Sequence, residues 1–221
     1  MLSHLRNRYL HVLGSIYIYN EHRGYSSIDR VLAAAKARWP EDRRFIAEIE
    51  KHRADERKHY LMFRRWFEKR GVMPLRVDRT CGHIDRLVRL TFGCHVDDLD
   101  QHQVTGDPEL FARLCRVISL TEQRGMRTVE TLLQSPLVHG DHRLSKIFKV
   151  IEEDEPSHWA PYVGWLKRNG GGEPRWNERI ADTLVHVTML LIKLPALYLN
   201  PFVRRRLDWP DASDPAVPLV A

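Results

Sequence analysis

Cysteine is scarce: Cys81, Cys94 and Cys115 are too few and too scattered for a disulfide framework. The N-terminal stretch, residues 1–14, is polar and lacks the apolar core of a secretion signal, so a reducing cytosol is the expected compartment. Cys81-Gly82-His83 and Cys94-His95 match no common zinc module, and paired C-x-x-C motifs are absent, which argues against structural zinc. A full membrane-spanning run is also missing by this reading. Val185 to Leu199 is nearly all apolar, yet it falls short of the roughly 20 residues a span requires and contains Pro195. Glycine and proline are missing from long stretches rich in Leu, Ala, Arg, Glu and Lys, which favours helix throughout.

What is present is an ordinary globular balance. In 221 residues, 43% are hydrophobic and 29% charged, enough to bury a core in one domain or a tight two-repeat domain. The net charge of +6 suits an anionic membrane surface, a nucleic acid or simple solubility, and selects none of them. Five helical segments can be drawn: about 3–38, 40–70, 108–134, 142–168 and 176–199. Pro40-Glu41-Asp42 and Asp107-Pro108-Glu109 read as helix starts, Gly71 and Asn169-Gly170 as stops. The connection from Val72 to Gly106 is long, with a short helix expected at 84–91.

An internal repeat organises the rest. Asn20-Glu21-His22-Arg23-Gly24 aligns with Thr121-Glu122-Gln123-Arg124-Gly125, and Asp55-Glu56-x-x-His59 with Asp154-Glu155-x-x-His158. The second match continues through Phe63 and Tyr162, Trp66 and Trp165, and Gly71 and Gly170, all at one offset. Two helical hairpins of one design predict a pseudo-twofold bundle. Residues three apart share a helix face, so Glu56 can act with His59 and Glu155 with His158. One such pair is common on charged helices; two, each preceded by Asp and each with an upstream Glu, point to a shared centre. Pro156, inside the second motif, predicts a local bend.

Four carboxylates and two imidazoles suit a pair of first-row metal ions. This set resembles the ferritin-like di-iron carboxylate superfamily, in which two helices give one Glu each and two give Glu-x-x-His. The resemblance covers about residues 9–168. It implies an all-α, ferritin-like four-helix bundle of two repeated hairpins with a long crossover (1–172), followed by a C-terminal apolar helix and tail (173–221). It implies metal ligation, and catalysis, by Glu21, Glu56, His59, Glu122, Glu155 and His158. Two Fe ions, or an Fe–Mn pair, would be the cofactor and O2 the co-substrate. The resemblance further pairs Asp55 with His158 and Asp154 with His59 through hydrogen bonds that orient the imidazoles.

Other residues invite several readings. His52 lies one turn before Glu56, but its repeat partner is Ile151, which favours packing or support. Tyr17 and Tyr25 flank Glu21 by a turn and could line a pocket. The glycines after the ligand glutamates suggest close helix approach, since Gly within a helix otherwise costs about 1 kcal/mol.

The implied activity is O2-dependent oxygenation or oxidation of a small apolar organic substrate, with an external reductase as electron donor. A ferritin-like protein that binds metal, oxidises iron or reduces peroxide without an organic substrate is the alternative. The missing rubredoxin motif weighs against a self-contained peroxidase. The apolar C-terminal helix loosely resembles the membrane-associated demethoxyubiquinone hydroxylases, and the basic charge the tRNA-modifying di-iron hydroxylases. Peripheral membrane contact and a homodimer stay open; nucleic acid is the less favoured partner.

Overall fold

The computed structural model describes residues 2–212; the expected tail beyond 212 lies outside them. Within that range the chain is all-helical apart from an isolated bridge between Leu75 and Arg205. The main helices are α1 (Leu2–Arg38), α2 (Arg43–Glu68), α5 (Pro108–Leu133), α7 (His142–Asp154) and α8 (Pro156–Arg168). The crossover contains α3 (His83–Phe92) and α4 (Gln101–Gly106), and α6 (Pro136–His139) joins α5 to α7.

Local chemistry sets the ends. Asp42, Asp107 and Asp141 each accept backbone N–H bonds as caps of α2, α5 and α7. Asp42 and Asp141 are themselves repeat-related (141 − 42 = 99). Gly71 and Gly170 follow α2 and α8 at φ 63 and 67, a left-handed conformation that only glycine adopts freely. Arg168 binds Asp42 at 3.0 Å and Arg70 binds Asp141, so each arm's end meets the other arm's cap and the two run antiparallel.

α1 packs on α2, α5 packs on α7 and α8, and α2 closes against both α7 and α8. Two apolar clusters fill opposite ends of this bundle. One is built around Phe45, Phe111 and Trp165, the other around Tyr60, Phe63, Trp66 and Phe148. Between them lies a polar middle layer that holds the repeat glutamates and histidines.

At Pro156 the fourth arm does more than bend. Proline has no N–H to donate, and α7 ends at Asp154 before α8 begins at Pro156. Glu155 is the hinge residue, and its N–H still reaches Ile151 O at 2.9 Å.

The C-terminal helix has the expected span, but the apolar length it offers a membrane departs from expectation. Trp176–Leu199 runs 24 residues through α9 (Trp176–Thr188), a π-helical segment (Met189–Lys193) and α10 (Leu194–Leu199), and it is long and apolar enough to cross a membrane. The shorter count from Val185 stopped at Glu178 and Asp182, whose charges are buried in ion pairs. Glu178 meets Arg116 at 2.9 Å and Asp182 meets Arg124 at 2.7 Å. α9 therefore packs on α3 and α5, with Ala181 against a small apolar cluster of Ile84, Leu87, Val88 and Val117.

These pairs also extend the repeat to a third helix. Asp85-x-Leu87-Val88-x-x-Thr91 on α3 matches Asp182-x-Leu184-Val185-x-x-Thr188 on α9 (182 − 85 = 97). Asp85 binds Arg23 at 2.7 Å as Asp182 binds Arg124. In both halves the arginine that follows the ligand-type glutamate is thus neutralised by a covering helix.

Candidate metal centre

The repeat residues converge in the middle layer because each sits near the centre of its arm. Glu21 lies midway along α1, Glu56 on α2, Glu122 on α5 and Glu155 at the α7–α8 break. Glu21, Glu56 and Glu155 are buried, and His52, His59 and His158 are fully so. Two donor groups emerge, and within each the ligand-type atoms lie within 4.8 Å of one another. Glu21, Glu56 and His59 form one; His52, Glu56, Glu122 and His158 form the other. Glu56 belongs to both, as a bridging carboxylate would. Glu155 belongs to neither, but its Oε2 stands 3.8 Å from His158 Nδ1. Among the described residues neither group includes a cysteine.

Unpaired polar atoms mark the centre. His52 Nε2, His59 Nδ1, both ring nitrogens of His158 and Glu155 Oε2 are buried without a hydrogen-bond partner. Such orphans are rare because each costs about 1–3 kcal/mol, and the donor groups they belong to could hold a metal ion. The electrostatics agree. Burial, with the neighbouring carboxylates added, pushes the Glu56 and Glu155 carboxyls well above their usual range, and Glu122 up to about 7. Burial lowers His52 and His158. His59 instead rises to about 9: burial works against its charged form, but Asp154 and Glu21 outweigh it.

The supporting aspartates take the crossed positions. His59 Nε2 donates to Asp154 Oδ2 at 2.8 Å, and His158 Nε2 stands 3.6 Å from Asp55 Oδ2, longer than a hydrogen bond. Burial raises the pKa of both aspartates, but the histidines together with Lys51 and Lys58 outweigh it and hold them below the usual range. Gly24 lets the α1 backbone approach Glu56 so closely that a methyl group there would overlap Glu56 Oε2.

A cavity of about 210 Å³ opens beside this layer. Glu21, Glu56, Glu122 and Glu155 form its polar floor; Leu13, Tyr17, Ile118, Val129 and Leu132 are among its apolar walls. His186, Met189, Leu190 and Leu194 of the C-terminal helix complete it, and Leu190 is exposed. Tyr17 lines the cavity, whereas Tyr25 packs against His22 and Tyr60 and does not. His52 faces the donor cluster itself. His83, His186 and Arg124 also line the cavity and were not expected there from sequence, although Arg124 stands in the Glu-x-Arg-Gly repeat.

No protein-family model matches the chain, and no characterised protein or solved structure matches it at a significant level.

Proposed function

We propose that the chain is a non-haem di-iron oxygenase or oxidase of the ferritin-like type, acting with O2 on a small apolar organic substrate. The observation that carries this reading is the convergence of four glutamates and three histidines, with orphaned donor atoms, in one layer whose glutamates floor an apolar cavity. Glu21, Glu56 and His59 would hold one ion, and Glu56, Glu122 and His158 the other, with Glu155 beside the second. Bound ferrous ions would supply the electrons and open coordination positions that O2 activation requires. The chain's own residues do the remainder. Asp154 fixes the tautomer and orientation of His59 through its Nε2 proton. Leu13, Tyr17, Val129 and Leu132 exclude water and hold an apolar substrate over the glutamates. Tyr17 stays protonated, since burial drives its pKa up and the nearby Glu21 and Glu155 add to the effect. It is thus a hydroxyl donor toward the cavity.

Electrons would come from a separate reductase. Substrate would enter past Leu190, where the cavity meets the exposed apolar side of the C-terminal helix. A bilayer surface is the matching source of an apolar substrate on that side.

The test is anaerobic Fe2+ loading followed by O2 exposure. The wild type is expected to take two irons per chain and consume O2, while Glu56→Ala and Glu155→Ala lose both tight binding and O2 uptake. Variants that keep both would sink the assignment. Loading with many irons per chain, in a cage-sized assembly on gel filtration, would instead support iron storage.

A further inference from the structure

The two halves of the centre part company at one pair of positions. The offset of 99 carries His52 onto Ile151 and Phe63 onto Tyr162. The arms cross, so one side of the bundle pairs an imidazole with a phenol where the other pairs two hydrocarbon side chains. Phe63 and Ile151 share an apolar cluster. His52 and Tyr162 are joined instead: His52 Nδ1 and Tyr162 Oη stand 3.0 Å apart, both side chains fully buried.

Placing an imidazole where hydrocarbon suffices costs stability unless both ring nitrogens are used. Tyr162 satisfies one. The other, Nε2, has no hydrogen-bond partner and lies 3.7 Å from Glu56 Oε1 and 3.7 Å from Glu122 Oε1. The ring stacks on His158 with centroids 4.2 Å apart, and His158 Nδ1 is 3.5 Å from Glu56 Oε1 and 4.0 Å from Glu122 Oε2. Donors about 2.0–2.2 Å from a common ion lie no more than about 4.4 Å apart. These spacings fit that limit and are too long for direct hydrogen bonds.

We propose that His52 is an additional protein ligand, binding through Nε2 the ion that Glu56, Glu122 and His158 hold, with Tyr162 as its positioning residue. The inference rests on the two-ion reading above. An Nδ1–H donated to the Tyr162 oxygen leaves the lone pair on Nε2, the usual arrangement behind a metal-bound imidazole. The two ions then differ: one has two imidazoles, the other only His59. Pseudo-twofold arms thereby build an asymmetric pair, and the ion at His52 is the more tightly held.

The test is anaerobic titration of the full chain with Fe2+ against a competing chelator. Wild type is expected to show two sites of unequal affinity. His52→Ile, which copies the repeat partner, is expected to weaken one site by about tenfold or more and leave the other, with Tyr162→Phe producing a smaller loss at the same site. Two sites in His52→Ile within twofold of wild type would overturn the His52 assignment and leave the two-ion centre standing. A wild type without two sites would remove both. If His52→Ile fails to fold, the Co2+-loaded wild type decides: paramagnetically shifted resonances from three imidazoles support the ligand, and from two they overturn it.

Discussion

At the residue scale the centre depends on what is small as much as on what is charged. Gly24 and Gly125 follow the repeat glutamates, yet they are not equivalent. A methyl group on Gly24 overlaps Glu56 Oε2, while one on Gly125 stands 3.2 Å from Glu155 Oε1, a contact that a slight shift relieves. Both glycines lie in helix interiors, where alanine is intrinsically favoured by about 1 kcal/mol. Gly24→Ala is therefore expected to separate stability from binding. Its thermal midpoint should stay at or near wild type while Fe2+ affinity falls by about tenfold or more, because the carboxylate shared by both donor groups is displaced. Gly125→Ala should bind within a few-fold of wild type. Chelator-competition titrations beside thermal melts would measure this, and equal affinities in the two variants would refute it.

At the scale of elements, the buried pair of Arg116 and Glu178 decides how the C-terminal helix is held. Both side chains are almost fully buried, and Arg116 also donates to Gly171 O at 2.7 Å. Removing Arg116 strands the buried Glu178 charge, at a cost of about 3–5 kcal/mol, removing Glu178 leaves Arg116 with only the half-exposed Glu109 as counter-charge, and replacing both with hydrocarbon is often neutral. Arg116→Met and Glu178→Met are each expected to destabilise strongly and to raise hydrogen exchange across 176–199. The double variant should recover much of the loss. Additive single effects would show that the pair does not hold the helix. The same elements show what sequence can and cannot carry. The hairpin repeat was legible because each arm keeps one offset, 101 from Glu21 to Gly24 and 99 through Glu56, Trp66 and Gly71. The third helix was not, because α3 has only 10 residues and its match to α9 rests on four short-spaced positions. Glu178 and Asp182 broke the apolar run on paper, and only tertiary pairing reveals that their charges are buried. The Pro156 interruption was legible as a bend but not as a helix end, because neighbouring packing decides how far a missing hydrogen bond propagates. His52 stood opposite an isoleucine in the repeat, so symmetry argued for packing, and only its unpaired Nε2 marks it out.

At the scale of the whole molecule, charge and apolar surface meet on one side. Trp176, Ile180, Leu184, Val187 and Leu191 recur every three or four residues, a single helical stripe, and all are exposed. The opposite stripe, with Glu178, Asp182, Val185 and Met189, is buried against the bundle. Two buried ion pairs anchor the first half of the helix to the bundle, and with that anchor in place its outer stripe suits a membrane interface. Exposed Leu199, Phe202 and Leu207 alternate there with exposed Arg204 and Arg205, the chemistry that anionic headgroups over acyl chains attract. Arg8 fixes the end of this region by donating to the carbonyls of Leu197 and Asn200, both at 2.6 Å. Co-sedimentation with vesicles tests the arrangement. The chain is expected to bind anionic vesicles more tightly than zwitterionic ones, to weaken with added salt, and to release without detergent. Leu184→Glu with Leu191→Glu should abolish sedimentation while leaving two-iron loading intact, because neither side chain touches the donor cluster. Equal binding by that variant would rule out the stripe as the contact, and a wild type extracted only by detergent would mean that the helix leaves its ion pairs and inserts.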